Sequence, residues 1–203
     1  MAHTGISAAV LIGGRSRRMG VPKALLRLEP HGETLIERTV TTLRDVAGEV
    51  VLVGTPAWSL PGAVDGSRRV ADRGASAADG IVTALDNADH RFCVVVACDM
   101  PFLNASLLRE MGNLALRARR GVIAVDARGS HPLHAVWDRA QVETIRAAIE
   151  QGERSLGKLA RLAGMMPFDL EAAGRSDRER WSPFNVNTPD DLDIARAHAA
   201  RTG

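Results

Sequence analysis

Five stretches of the chain read as short strands, the clearest of them apolar without interruption and so buried on both faces: Ile6 to Ile12, Glu49 to Gly54, Arg68 to Asp72, Phe92 to Cys98 and Val122 to Val125. Helical spacing separates the early ones. Ile36, Val40, Leu43 and Ala47 recur at three- and four-residue intervals, Asp79 to Ala88 can form a helix, and Leu107, Leu108, Met111 and Leu114 give an apolar side to a helix capped by Asn104 and running to Arg119. Further on, Ala135-Val136-Trp137 reads as a strand after a polar turn from Arg128 to Pro132. Asp138 with Gln141 reads as a capping box for a helix to about Gln151, and Arg175 to Arg180 as a charged surface loop. Near the end, Thr188, Pro189 and Asp191 form the start of a last helix: cap, first position and box. Strands alternating with helices predict a doubly wound α/β domain with a mostly parallel sheet and ligand-binding loops at the carboxyl ends of its strands.

Length agrees with one such domain over residues 1–203, since 203 residues that are 45% hydrophobic can bury a sizeable core. The net charge of +2 is too balanced for a protein whose main partner is nucleic acid, and aromatics at 3% with no Tyr disfavour base-stacking platforms. Cys93 and Cys98 fall in one apolar run and read as reduced core residues. With no basic leader and no membrane-spanning run, the expectation is a cytoplasmic protein with no membrane partner.

The chemistry concentrates at three strand ends. After the first strand comes Gly13-Gly14-Arg15-Ser16-Arg17-Arg18-Met19-Gly20-Val21-Pro22-Lys23, a glycine-rich cationic loop whose spacing fits neither Walker A nor the dinucleotide fingerprint. It suits a polyphosphate, whose oxygens want converging N–H groups and several cations; a solvated basic turn is the other reading. Lys23 and Lys158 are the only lysines in a chain that otherwise uses arginine, so a compact ammonium retained inside this loop points to a phosphate site, unless the codon survived by chance. Asp72 ends the third strand. Asp99, followed by Met100-Pro101, ends the fourth, where its carboxylate would face the crevice. Beside a polyphosphate such a carboxylate is repulsive unless Mg²⁺ lies between them; capping of the next segment is the alternative. Cations on one side and Mg²⁺ on the other suit attack at an α-phosphate with pyrophosphate leaving. His131 and His134 are two zinc-type ligands without a third at an obvious spacing, and read as polar wall.

These motifs together resemble the molybdenum cofactor guanylyltransferases, within the larger group of sugar-nucleotide-type pyrophosphorylases. The resemblance runs through Leu-Ile-Gly-Gly-x-Ser-x-Arg-Met-Gly-x-x-Lys, Cys98-Asp-Met-Pro-Phe102, His131-Pro-Leu, Gly152-Glu-Arg-Ser-Leu156 and Asn185-Val-Asn-Thr-Pro-Asp-Asp-Leu192. It implies a Rossmann-like nucleotidyltransferase fold of the nucleotide-diphospho-sugar transferase type. The N-terminal half would take the nucleotide and the C-terminal half the acceptor. Leu11, Ile12, Gly13 and Gly14 would meet guanine and ribose, Arg18 and Lys23 the phosphates, Asp72 and Gly80 the nucleoside, and Asp99 the Mg²⁺. Asn185 and Asn187 would face molybdopterin or molybdenum-molybdopterin, and Arg18, Lys23 and Asp99 would be the catalytic set. Further partners implied are proteins that deliver molybdopterin or receive the product. The acceptor's terminal phosphate is already anionic, so no general base is needed. Gly14 is the guanine-type glycine, whereas Pro22 is the residue usual in the cytidylyl relatives. The segment from Arg73 to Gly80 keeps only the last glycine of the family's turn, and Asp79 adds a charge there. The resemblance therefore leans to GTP. A CTP-using enzyme and a non-catalytic nucleotide-binding protein of the same fold are the alternatives.

Overall fold

The computed structural model describes residues 3–12, 21–56, 58–72, 74, 76–172 and 180–202. Its elements run β1 (His3–Leu11), α1 (Leu35–Arg44), β2 (Ala47–Val53), β3 (Arg68–Val70), α2 (Ala77–Asn87), β4 (Phe92–Ala97), α3 (Ala105–Ala118), β5 (Val122–Asp126), β6 (Gly129–Asp138), α4 (Val142–Glu150), α5 (Leu156–Leu162), β7 (Met166–Asp169) and a C-terminal α6 (Pro189–Thr202). The described strands form one sheet in the order β3-β2-β1-β4-β6-β5-β7, in which only β6 runs against its neighbours.

β1 lies in the interior of the sheet, beside the central β4, because it is apolar on both faces. Ile6, Ala8 and Val10 pack with Ile36, Val40 and Leu43 of α1 and with Leu107, Leu108 and Met111 of α3. Ala9 and Leu11, pointing the other way, pack with Ile81 and Leu85 of α2, Ile145 of α4 and Leu159 of α5. Helices thus cover both faces, as the uninterrupted hydrophobic runs require. Each fully buried Ile or Leu contributes about 1.5–3 kcal/mol by burial. A third, smaller cluster joins Leu28 and Leu35 to Val186, Leu192 and Ala195, so α6 and the irregular segment before it are bound to the region that follows the glycine loop.

Local chemistry explains most helix starts. Thr34 and Glu37 form a reciprocal box at α1, Asn104 accepts the Leu107 N–H at α3, and Asp191 accepts the Thr188 N–H while donating its own N–H to the Thr188 hydroxyl. Asp79, which the sequence marks as an added charge, has a structural use: its carboxylate accepts from the Ser76 N–H and hydroxyl at 3.1 and 2.6 Å and caps α2.

Three expectations need correction. Ala47 begins β2, opposite His3, because α1 stops at Arg44 and the Val46 N–H closes a turn on the Leu43 carbonyl. The stretch from Gly129 to Pro132 is strand: β5 and β6 form a hairpin in which Gly129 takes φ +120°, and Asp126 accepts the Arg128 N–H. The pairing shifts register between Ile123 and Ala124, which accommodates Pro132 and its missing N–H. Asp138 caps a short 3-10 turn through the Ala140 N–H, with α4 beginning only at Val142, while its other contact is a two-point pairing with Arg91. α5 and the edge strand β7 are additions that the apolar pattern did not announce. Of the charged stretch expected as a loop, Arg175 to Arg180, residues 175–179 lie outside the described residues. Among the described residues no helix is long and apolar enough to cross a membrane.

Candidate active site

The carboxyl ends of β1 and β4 stay in register beyond the strands, the Cys98 N–H reaching the Leu11 carbonyl at 3.3 Å, so the residues that follow each strand emerge side by side. After β1, the chain re-enters the described region at Val21. Pro22 then starts a 3-10 turn, its carbonyl accepting the Leu25 N–H at 3.0 Å, which sets the direction of Lys23. After β4 comes Asp99, whose carbonyl accepts the Val186 N–H at 2.9 Å. The segment from Pro183 to Thr188 is thereby laid across the end of β4.

Three residues assigned to different tasks meet here. The Lys23 ammonium donates to Asp99 Oδ2 at 3.0 Å and to Asn187 Oδ1 at 2.7 Å. The Lys23 and Asp99 side chains are only 20% and 13% exposed, so their attraction is less screened than that of a surface pair. Asp99 Oδ1 is buried and has no hydrogen-bond partner among the described residues, an orphaned carboxylate oxygen that costs free energy unless a cation or donor faces it. Asn187 is itself fixed: its N–H donates to Asp191 Oδ2 at 2.8 Å. Burial pushes the Asp191 carboxyl up, but the Asn187 and Thr188 donors and the nearby Lys23 outweigh it and hold the group below the ordinary carboxylate value. Asn185 lies two residues back and donates to the Pro183 carbonyl at 3.0 Å, a contact within the segment itself.

A second cluster lies toward β3. Asp72 Oδ1 accepts from the Gly74 N–H and from the Thr83 hydroxyl, both at 3.2 Å. Gly80, on the first turns of α2, faces this carboxylate: a Cβ there would lie 3.2 Å from Leu11 and 3.5 Å from Asp72 Oδ2. Leu11, Asp72 and Gly80 are therefore neighbours, and glycine keeps the space between them open. The Leu11 and Ile12 side chains are buried in opposite cores, so what these two residues can present to a nucleotide is backbone. Gly13, Gly14 and Arg18 lie outside the described residues.

His131 and His134 turn to different partners. His131 Nε2 is 2.9 Å from Asp126 Oδ2, whereas His134, wholly buried, has its Nε2 2.7 Å from the Ser182 hydroxyl. Among the described residues no three His, Cys, Asp or Glu side chains converge as a metal cluster. Burial, with His131 nearby, pushes the His134 pKa down to about 4. The unfolded chain, near 6.5, takes up this proton first, so the stabilising difference is fully present above pH 6.5 and is lost as pH falls toward 4, by about 3 kcal/mol. Denaturant titrations at pH 7 and 4.5 should show this loss, and His134→Gln should shrink it. An equal loss in both proteins would assign the pH dependence to the depressed carboxylates Asp126, Glu49 and Glu37 instead.

Sequence reading did not find Thr83 as a partner of Asp72, nor that Asn187 holds Lys23. The first is a helix-interior threonine with no local signal; the second joins residues far apart in the chain.

The chain is similar to known proteins. Residues 8–165 match the family model described as MobA-like NTP transferase domain. A probable molybdenum cofactor guanylyltransferase of Pelotomaculum thermopropionicum is 36% identical over 97% of this chain and 96% of its own length. One of Opitutus terrae is 33% identical over 94% and 95%. The crystal structure of molybdopterin-guanine dinucleotide biosynthesis protein A from Archaeoglobus fulgidus, 25% identical, superposes with a TM-score of 0.77 over 96% of this chain and 99% of that one. Fold and similarity agree: the chain belongs to the MobA-like NTP transferase family, among the molybdenum cofactor guanylyltransferases, and is a nucleotidyltransferase.

Proposed function

We propose that the protein transfers GMP from GTP to the terminal phosphate of molybdopterin, with or without bound molybdenum, and releases pyrophosphate. The observation that carries this reading is the convergence of Lys23, Asp99 and Asn187 where β1 and β4 end. It puts a phosphate-seeking cation, a carboxylate with an unpartnered oxygen and an amide from the C-terminal half in one place. The relatives' names, which call them probable molybdenum cofactor guanylyltransferases, support a guanylyl group as what is transferred and the molybdenum cofactor as what receives it. In the reaction an oxygen of the acceptor phosphate forms a bond to the α-phosphorus of GTP, the bond from that phosphorus to the α,β-bridging oxygen breaks, and its electron pair leaves with pyrophosphate.

Lys23 would follow the charge that grows on the leaving pyrophosphate, with Arg18 and the Gly13-Gly14 backbone holding the rest of the polyphosphate. Asp99 fits Mg²⁺: its Oδ1 has no other partner, and a hard divalent cation is satisfied by one carboxylate with phosphate oxygens and water. When bound there, Mg²⁺ would supply electrostatic stabilisation of the polyphosphate. Asp72, Gly80 and the backbone of Leu11 and Ile12 would face the nucleoside, Asn185 and Asn187 the acceptor. The N-terminal half thus serves the nucleotide and the C-terminal half the acceptor.

Gly14 favours a purine, so GTP should be used at least ~10-fold better than CTP, about 1.4 kcal/mol of discrimination. Comparing kcat/KM for the two with molybdopterin as acceptor tests the reading. Equal constants, or a preference for CTP, would move the protein to the cytidylyl branch to which Pro22 is similar. Binding of GTP without pyrophosphate release would mark a non-catalytic nucleotide-binding protein.

A further inference from the structure

The segment that carries Asn185 and Asn187 is pinned at its start by a buried polar contact outside the site. Ser182 Oγ lies 2.7 Å from His134 Nε2 and accepts the Asn104 N–H at 3.0 Å, and Ser182 and His134 are both wholly buried. Three distant parts of the chain meet at this hydroxyl. His134 lies on β6 opposite Val96 of β4, three residues before Asp99, and Asn104 caps α3 just beyond Asp99. Four residues after Ser182, the Val186 N–H reaches the Asp99 carbonyl, and Asn187 next to it holds Lys23.

An apolar pair would fill this space at lower cost. A buried imidazole and hydroxyl must be desolvated, and among the described residues His134 Nδ1 has no hydrogen-bond partner. What such a pair adds is direction. Beside the local backbone bond from the Phe184 N–H to the Trp181 carbonyl, this end of the segment carries ring contacts: Phe102 lies edge-on to Trp181 at 5.6 Å and tilted to Phe184 at 6.1 Å, and Trp181 stacks on His198 at 3.8 Å. Ring contacts bury area but tolerate sliding; a hydrogen bond between two fixed elements sets a register.

We propose that the hydrogen bond between His134 and Ser182 sets the register of the segment from Ser182 to Asn187 over Asp99, making both positioning residues for the acceptor side of the transfer site. The inference rests on the transfer reading above for its effect on catalysis, though the tether can be tested apart from it.

Ser182→Ala cuts the bond from one side. His134→Phe cuts it from the other at similar volume, keeping the question open if the first variant does not fold. His134→Gln can place a side-chain nitrogen near the position of Nε2. In the two cutting variants, amide exchange at Val186 and Asn187 should rise roughly tenfold, the scale of one buried hydrogen bond. The KM for molybdopterin should rise by a similar factor, while the affinity for Mg·GTP, titrated alone, stays within about twofold of wild type. His134→Gln should restore most of both. Unchanged exchange at Val186 in a folded cutting variant would overturn the tether, and so would a loss of GTP affinity equal to the loss in kcat/KM, which marks general damage. Exchange and GTP titration need no acceptor. A wild-type protein that transfers nothing to molybdopterin would therefore sink the transfer reading and the acceptor-positioning role with it, while exchange still decides whether the bond sets the register.

Discussion

Asp99→Asn should lower turnover at saturating GTP and Mg²⁺ by at least ~10²-fold, the scale on which loss of one preorganised electrostatic group is felt in a transition state. The substitution keeps the shape of the side chain and removes its charge. It converts the unpartnered Oδ1 from a carboxylate oxygen into an amide atom that is a poorer partner for a divalent cation, and it weakens the 3.0 Å contact with Lys23. The fold should survive. Strand β4 ends before Asp99, and the backbone link from Val186 uses the Asp99 carbonyl, which the substitution leaves in place. A Tm within a few degrees of wild type together with wild-type turnover would remove Asp99 from the mechanism.

Lys23→Ala and Lys23→Arg should both lose turnover, by about 10²-fold for the alanine variant. Arginine should recover little of it. The ammonium occupies a small space between Asp99 Oδ2 at 3.0 Å and Asn187 Oδ1 at 2.7 Å, where three donors can turn to suit their partners. A guanidinium is broader and planar, with donors that diverge in fixed directions. The loss should appear in kcat more than in the KM for GTP, because on the proposed reading a polyphosphate would have other anchors in the glycine loop while the charge on the departing pyrophosphate would have few. Stability should change little, since a partly exposed ion pair contributes on the order of 1 kcal/mol or less. Steady-state kinetics against GTP decide the point, and near wild-type activity in Lys23→Arg would show that any cation suffices at this position.

The parts of the fold that could be read from the sequence are those with one dominant cause. β1 and β4 are continuous apolar runs because they are covered on both faces, and the starts of α3 and α6 carry side chains whose only good use is capping. Where causes compete, reading failed. Ala47 continues the helical period of α1, but pairing with β1 claims it for the sheet. The polar stretch before Leu133 looks like a turn, yet it lies at the sheet's rim where strand residues need not be apolar on both sides. β7 is a four-residue edge strand with a proline inside it, too short for any period to show.

The candidate site divides in the same way. Lys23 and Asp99 stand out because neither a lysine in a glycine loop nor a carboxylate at the end of a buried strand helps the core to pack. Their meeting with Asn187 could not be read, since Asn187 arrives from the far end of the chain through the packing of α6. Nor could the buried pairing of His134 with Ser182, where each residue taken alone is an ordinary polar side chain.

The most direct test of the account follows the α-phosphate. Protein, Mg²⁺, molybdopterin and GTP labelled at the α-phosphate should yield one labelled molybdopterin dinucleotide for each pyrophosphate released, with both products absent when molybdopterin is omitted. Label appearing as free GMP in step with pyrophosphate, whether or not molybdopterin is present, would show hydrolysis in place of transfer and contradict the account.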